Sequence, residues 1–277
     1  IINDIDPSTI NKDPRSFSIF MSNEMGRART QSTNQIIPVN LKEISIIIRG
    51  EDDGSFDLND KIIFYGRGPS GFNFNGEDLE WHQNTYFTKN SCWLFIPNDD
   101  QKRGKRIASY IQPGEGILID YGVSNIHFES DIINLAASGT EWLSSPIISG
   151  NSQAIIANLP SPVSGASFSF QTRLRGHSAS ISSSAFHSIT LHLGSLNNEA
   201  IGASLNWSGN ASRTIVTNSN SLALQDGINF FYLKNVSTDN NSKPYIDFSE
   251  IKYARNLKIN DPFHFISPIR DQNIRFS

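Results

Sequence analysis

Apolar residues in this chain fall in short runs that are rich in β-branched and aromatic side chains. Gly, Pro, Asn and Ser separate these runs at intervals of roughly 8 to 14 residues, a spacing typical of all-β sandwiches. The pattern therefore predicts an all-β fold. The predicted strands are 16–21, 35–39, 44–48, 61–65, 85–87, 92–96, 107–111, 117–121, 153–159, 167–175, 188–193, 200–205, 214–217, 227–232 and 244–251.

One stretch departs from the strand pattern, because its apolar residues recur at helical spacing. These residues are Phe128, Ile132, Leu135 and Ala136. The stretch ends at Ser138-Gly139, which is a suitable helix C-cap. We expect one short helix over about 128–138.

The composition changes near residues 139–150. Acidic clusters lie mainly before this point, and the chain that follows is rich in Ser and Asn and nearly without acids until Asp247. A chain of 277 residues is long enough for two ordinary domains. The prediction is two β-sandwich-like domains, 1–143 and 144–277, with the second jelly-roll-like and the helix near the junction.

Charge and cysteine content narrow the functional classes. The net charge is −4, so the sequence predicts no basic surface for nucleic acid. The single cysteine excludes an intrachain disulfide. The sequence contains no run of 18 apolar residues, so no transmembrane segment is predicted. The chain begins Ile-Ile-Asn-Asp without methionine, so we expect a piece of a longer protein that is monomeric by itself.

The sequence Gly66-Arg67-Gly68-Pro69-Ser70-Gly71 matches the G-x-G-x-x-G pattern of dinucleotide-binding loops. Such a loop needs a helix to begin at its end, since the helix N-terminus holds the pyrophosphate. The next residues, Phe-Asn-Phe-Asn-Gly, do not form a helical pattern. The sequence favours a plain glycine turn and no nucleotide cofactor.

An acidic segment just before this turn is a calcium candidate. Asp52, Asp53, Asp57, Asn59 and Asp60 place several oxygen ligands within nine positions, as hard cations require. The EF-hand template is not met, because Arg49 occupies the first ligand position and no glutamate closes the loop. The alternative is a turn with solvated carboxylates, so calcium is the only metal or cofactor that the sequence suggests.

No catalytic site is predicted. Cys92 lies in an apolar strand, Ser91–Ile96, whereas a nucleophilic thiolate needs an exposed, electropositive setting. We expect it to be a core residue. The histidines are scattered and give no metal-ligand spacing. They are His82, His127, His177, His187, His192 and His264.

Two binding functions stay open from the residues alone. Trp81, Trp142 and Trp207 could stack on sugar rings, as in a carbohydrate-binding accessory module, although tryptophan in strands more often packs in a core. The acidic segment could instead belong to a calcium-stabilised, adhesin-like domain.

Five short segments form an ordered set along the chain. The first three are Ile5-Asp6-Pro7-Ser8-Thr9-Ile10, then Asp53-Gly54-Ser55-Phe56 with Asp60, Ile62 and Phe64-Tyr65-Gly66, then His82, Asn84 and Tyr86 with Trp93-Leu94. The last two are Glu129, Asp131, Asn134-Leu135, Ser138-Gly139 and Trp142, then Tyr245–Ile251 with Arg255 and Leu257. Together they resemble the N-terminal region of gingipain-like cysteine peptidases, and above all the PorU-like sortases of type IX secretion.

The resemblance departs from the family pattern at three places. Cys92 stands where an aromatic is usual, Thr140-Glu141 replaces an Arg-Glu pair, and residues 151–230 match only as generic strands.

The resemblance implies a non-catalytic module that precedes a caspase-like catalytic domain whose His–Cys dyad is not in these residues. This module would position the peptidase, or bind secretion-machine or cargo proteins. The parent would be exported to the outer-membrane surface or the extracellular space.

Overall fold

A computed structural model describes residues 10–22, 41–84, 87–98, 102–108, 116–139, 141–180, 184–219, 222–258 and 274–276. The chain divides into two compact units, Ile1–Gln112 and Pro113–Ser277. No helix of the described residues is long and apolar enough to cross a membrane. The prediction of an all-β fold is confirmed.

In its described residues the first unit contains short strands and two 3-10 turns, Pro14–Ser16 and Glu51–Asp53. Its strands are β1 (Ser18–Ser22), β2 (Leu41–Ile44), β3 (Ile46–Arg49), β4 (Lys61–Phe64), β5 (Gly71–Phe74), β6 (Leu79–His82) and β7 (Cys92–Phe95). They form a three-stranded sheet in the order β2-β1-β7 and two hairpins, β3-β4 and β5-β6. Predicted strand 35–39 and most of 85–87 lie outside the described residues.

Phe17, Ile19, Ile46 and Ile48 form the core of the first unit. Ile19 lies on β1 and Ile46 and Ile48 lie on β3, so the core joins the three-stranded sheet to the first hairpin. Alternate residues of β3 are buried and exposed, as a strand with one solvated face requires. Burying an aliphatic or Phe side chain fully contributes roughly 1.5–3 kcal/mol, so each of these four residues stabilises the unit substantially.

The second unit begins with β8 (Ile117–Ile119), which pairs in parallel with β17 (Ile274–Phe276). The remaining strands are β9 (Tyr121–Glu129), β10 (Ser152–Leu159), β11 (Phe168–Arg175), β12 (Phe186–Leu193), β13 (Leu205–Ser208), β14 (Ser212–Ser219), β15 (Gly227–Asn235) and β16 (Tyr245–Asn256). They form two four-stranded antiparallel sheets, β10-β15-β12-β13 and β14-β11-β16-β9. Inward residues of both sheets share one core, in which Phe170 stacks on Phe231 with ring centroids 5.1 Å apart.

The predicted helix over 128–138 is wrong. Phe128 and Glu129 end strand β9, and Ile133 forms an isolated bridge with Leu143. The side chain of Asn134 caps a turn by accepting a hydrogen bond from the backbone N of Ser138. Helical spacing arose because an inward strand residue and several turn residues happened to fall at intervals of three and four.

The observed division of the chain differs from the predicted one at 143/144. Strand β9 lies before that point, yet it pairs along its whole length with β16 of the second unit. The change in composition therefore does not coincide with the change of compact unit, which follows Gln112. The strand pattern also predicted no strand between 65 and 85, whereas β5 and β6 form a hairpin around Asn75 and Gly76.

Candidate functional site

Acidic side chains from two distant segments meet on the outer face of the sheet β14-β11-β16-β9. His127 of β9 lies directly opposite Glu250 of β16. Ile126 and Phe128 pack against the core, so the alternation of a strand places His127 and Glu129 on the opposite face. Glu129 and Asp131 come from one of the signature-like segments, and Glu250 comes from another.

The imidazole of His127 is enclosed by these neighbours, and its side chain is 5% exposed. Its Nδ1 lies 2.9 Å from Glu250 Oε1, and its Nε2 lies 3.3 Å from Glu129 Oε2. The ring stacks on Phe248 with centroids 5.4 Å apart. This cluster of His127, Glu129, Asp131, Asp247 and Glu250 is called the acid–histidine cluster below.

Three residues of the cluster, His127, Asp131 and Asp247, have raised pKa values. Burial opposes protonation of His127, but the hydrogen bonds to Glu129 and Glu250 outweigh it and raise the pKa of the ring. Burial raises the pKa of Asp131, and the charge and hydrogen bond of Glu129 raise it further. Burial also raises the pKa of Asp247, although Arg173 opposes that shift. Each of these three groups therefore binds a proton more readily than it would in water.

A β-bulge positions Asp247 in this cluster. Arg173 of β11 pairs with Phe248 and the next residue, Leu174, pairs with Ile246, so Asp247 is the extra residue of β16. Arg173 Nε lies 3.3 Å from Asp247 Oδ2. Bulges of this kind re-aim side chains, and they are frequent beside functional sites.

The predicted calcium ligands lie in the first unit, around a turn flanked by left-handed Gly50 and Gly54. Asp53 Oδ1 accepts a hydrogen bond from the backbone N of Ser55, and Asp60 Oδ2 accepts one from the backbone N of Asp57. The carboxyl group of Asp60 also fills the space that a side chain at Gly50 would need. These two carboxylates therefore cap the turn.

The other three predicted ligands, Asp52, Asp57 and Asn59, are exposed. Asp57 and Asn59 line a groove between residues 10–13 and 54–59. Within the described part of the chain, no three His, Cys, Asp or Glu side chains are grouped so that they could hold a metal ion. Calcium binding at this turn stays a prediction.

An aromatic strip covers the outer face of the sheet β2-β1-β7. Trp93 and Phe95 are about half exposed, at 51% and 48%. They lie opposite Phe20 and Ser18 of β1, and Phe20 packs edge-on against Phe95 with centroids 6.2 Å apart. Monomeric proteins seldom expose large apolar patches without a binding role, so the strip of Phe20, Trp93 and Phe95 is a candidate interaction surface.

Cys92 is half-buried and packs against the core of the first unit, which does not suit a nucleophile. Trp207 is buried at 6% exposure and its ring packs at a tilt against His187, so it is not open to a sugar. Trp81 packs edge-on against Phe72, and Trp142 is partly exposed.

Among the residues that the structure describes, the other histidines form no group that could hold a metal ion. His187 is fully buried, and His192 contacts Thr190 Oγ1 and the carbonyl of Asn198. His177 packs edge-on against Tyr245, and His264 lies outside the described residues. Sequence reasoning missed the role of His127, because the carboxylate opposite it is 123 residues away in the chain.

The glycine-rich segment runs from β4 into strand β5, and no helix begins at Gly71. The interpretation as a plain turn agrees with this arrangement. A phosphate-binding helix N-terminus is therefore not formed at this segment.

Comparison with known proteins gives a likeness at the level of fold. No protein-family model and no curated protein matches this sequence. Dimeric latent PorU from Porphyromonas gingivalis matches with a TM-score of 0.67 and 16% identity, over 93% of this chain and 24% of that one. The chain thus spans about a quarter of the PorU chain that it resembles, and it has a PorU-like fold.

Carbohydrate-binding modules match less well. A CBM36 module in complex with calcium and xylotriose has a TM-score of 0.31 and 15% identity, over 46% of this chain and 98% of that one. A family 35 module from Clostridium thermocellum has a TM-score of 0.27 and 15% identity, over 48% and 98%. Likenesses at this level carry no argument about function.

Proposed function

We propose that this chain is a non-catalytic β module of a PorU-like, gingipain-type cysteine peptidase of type IX secretion. It positions the catalytic domain that follows it in the parent, or binds secretion-machine or cargo proteins. The parent is exported and acts at the outer-membrane surface or outside the cell. One observation carries the proposal: the PorU-like fold extends over 93% of the chain.

Three features of the chain support a non-catalytic module with a binding surface. Its only cysteine is half-buried against a core. The ordered signature-like segments of the sequence place Glu129 and Glu250 in one cluster. The aromatic strip of Phe20, Trp93 and Phe95 offers an apolar surface to a partner protein.

The first experiment identifies the parent. We expect the coding sequence downstream of Ser277 to specify an α/β domain that contains a histidine and a cysteine as the catalytic dyad. A stop codon or an unrelated domain directly after Ser277 would overturn the proposal. The chain itself should show no peptidase activity, and activity that disappears in Cys92→Ala would also contradict it.

The second experiment tests the binding surface. The catalytic domain of the parent, produced separately, should bind this chain in calorimetry. Trp93→Ser should weaken binding at least about tenfold, as expected for a buried aromatic at an interface. Val216→Ser is the matched control, because Val216 is similarly exposed at 58% but lies on β14 of the second unit. Equal affinities for the wild type and Trp93→Ser would exclude the strip as the surface that binds the catalytic domain.

A further inference from the structure

Both ring nitrogens of His127 face carboxylates. Glu250 Oε1 is 2.9 Å from Nδ1, and Glu129 Oε2 is 3.3 Å from Nε2. An ionised carboxylate can only accept hydrogen bonds, and a neutral imidazole has a single N–H to donate. Both contacts are therefore hydrogen bonds only when the ring is protonated.

Charged groups from each neighbouring element face this ring or its partners. Strand β9 contributes Glu129, and strand β16 contributes Glu250 and Asp247. The segment after β9 contributes Asp131, which hydrogen-bonds to Glu129, and Glu141, whose negative charge acts on Asp247. Strand β11 contributes Arg173, which is paired with Asp247. The surroundings of His127 are therefore predominantly acidic.

We propose that His127 is a pH-sensitive lock at the end of strand β9. When protonated, it connects Glu129 to Glu250 across β9 and β16. When neutral, it keeps one of these partners and releases the other. The lock is a proton-binding device in the second unit, and it is independent of the proposed peptidase partnership.

The geometry identifies Glu129 as the partner that is released. The contact with Glu250 is shorter and joins two directly opposite residues of paired strands. The contact with Glu129 is longer and lies within β9. A neutral ring protonated on Nδ1 keeps the shorter bond, and its bare Nε2 then faces the negative charge of Glu129.

Release of Glu129 affects the segment that follows it. Glu129 is the last residue of β9, which is the edge strand of its sheet. The side chain of Asp131 hydrogen-bonds to Glu129. Edge strands have a neighbour on one side only, so they open more easily than central strands. The end of β9 and residues 130–139 therefore loosen together.

The direction of the pH response follows from the electrostatics. Despite burial, Glu129 and Glu250 raise the pKa of His127 above its ordinary value of 6.5. The folded state thus binds more protons than the unfolded state in this range. The lock stabilises the fold fully below about pH 6.5, and this stabilisation is lost as pH rises through the raised pKa.

Imidazole NMR on the full chain tests the lock without a mutation. At pH 6.0 the 15N shifts of both ring nitrogens of His127 should be those of a protonated imidazolium. Above the raised pKa they should be those of the Nδ1–H tautomer. A ring that is already neutral at pH 6.0 contradicts the proposal.

Hydrogen exchange measured by mass spectrometry tests the release. After correction for intrinsic rates, peptides covering 129–139 should lose protection several-fold between pH 6.0 and pH 8.5, whereas peptides from β15 should not. His127→Gln should abolish this difference. His192→Gln is the control and should retain it, because His192 contacts Thr190 and a backbone carbonyl rather than carboxylates. An unchanged pH response in His127→Gln overturns the lock.

Discussion

At the scale of single residues, His187 shows how burial fixes a protonation state. Its Nδ1 lies 2.8 Å from Ser242 Oγ, and its Nε2 lies 3.1 Å from the carbonyl oxygen of Gly209. The side chain is fully buried and packs against Trp207 with centroids 4.7 Å apart. Burial lowers the pKa of His187, although the hydrogen bond to Gly209 opposes the shift.

We predict that His187 makes the folded state less stable as the solution becomes acidic. Its folded-state pKa lies below 6.5, so the unfolded state binds more protons as the solution becomes acidic. This stabilisation is present above about pH 6.5 and is lost as pH falls through the lowered value. Urea unfolding of the wild type and His187→Asn at pH 7.5 and pH 5.0 should show a smaller difference at pH 5.0.

The magnitude at pH 7.5 follows from the hydrogen bonds of His187. Removing one partner of a buried pair costs roughly 1–3 kcal/mol, so His187→Asn should lose about that much stability at pH 7.5. His82→Asn on β6 is the control, and it should change stability by no more than about 0.5 kcal/mol. If the wild type and His187→Asn differ in free energy of unfolding by the same amount at both pH values, the lowered pKa of His187 is contradicted. The contribution of His127 to stability changes with pH in the opposite direction. The wild type and each variant are therefore compared at the same pH, so that this contribution cancels.

At the scale of elements, the basic segment 103–106 holds the backbone that leads into strand β1. Arg106 pairs with Glu51 and donates hydrogen bonds to the carbonyl oxygens of Pro14 and Phe17. Gly104 donates its backbone N–H to the carbonyl oxygen of Arg15. The segment 103–106 therefore lies directly against the backbone that leads into β1.

Gly104→Ala tests this close approach. A Cβ atom at Gly104 would overlap the backbone carbonyl oxygen of Phe17, which cannot rotate away. We expect a destabilisation of about 2–3 kcal/mol, seen as a lower denaturation midpoint and as faster hydrogen exchange in β1. Gly66→Ala is the matched control, because its Cβ would make only an ordinary contact with Phe64. Equal midpoints for the two variants would exclude the packing argument.

Local pattern was sufficient for most strands and insufficient where pairing is long-range. Alternation along 153–159 and 167–175 predicted strands that β10 and β11 confirm. Residues 128–138 were wrongly predicted to be helical. Phe128 is held in a strand by pairing with Ser249, more than a hundred positions later, and local spacing does not show this. The acid–histidine cluster could not be predicted for the same reason, since its halves meet only when β9 pairs with β16. The bulge at Asp247 has no signature in the local sequence.

At the scale of the whole molecule, strand β9 decides where the second unit begins. It pairs with β16 from Tyr121 to Glu129, and its Ile126 and Phe128 pack against the core. A fragment that starts at residue 144 lacks this strand. Its core would then lose two apolar side chains, and β16 would become an unprotected edge.

Truncation therefore distinguishes the observed boundary from the one that composition predicts. We expect 113–277 to unfold cooperatively by itself, and 144–277 to melt at least about 10 °C lower, because several kcal/mol of packing and strand pairing are lost. Thermal melts followed by circular dichroism measure this difference. The fragment 120–277 is the control, since it lacks β8 but keeps β9, and it should melt close to 113–277. If 144–277 is as stable as 113–277, β9 is only an accessory strand, and the unit begins where the Ser/Asn-rich sequence begins.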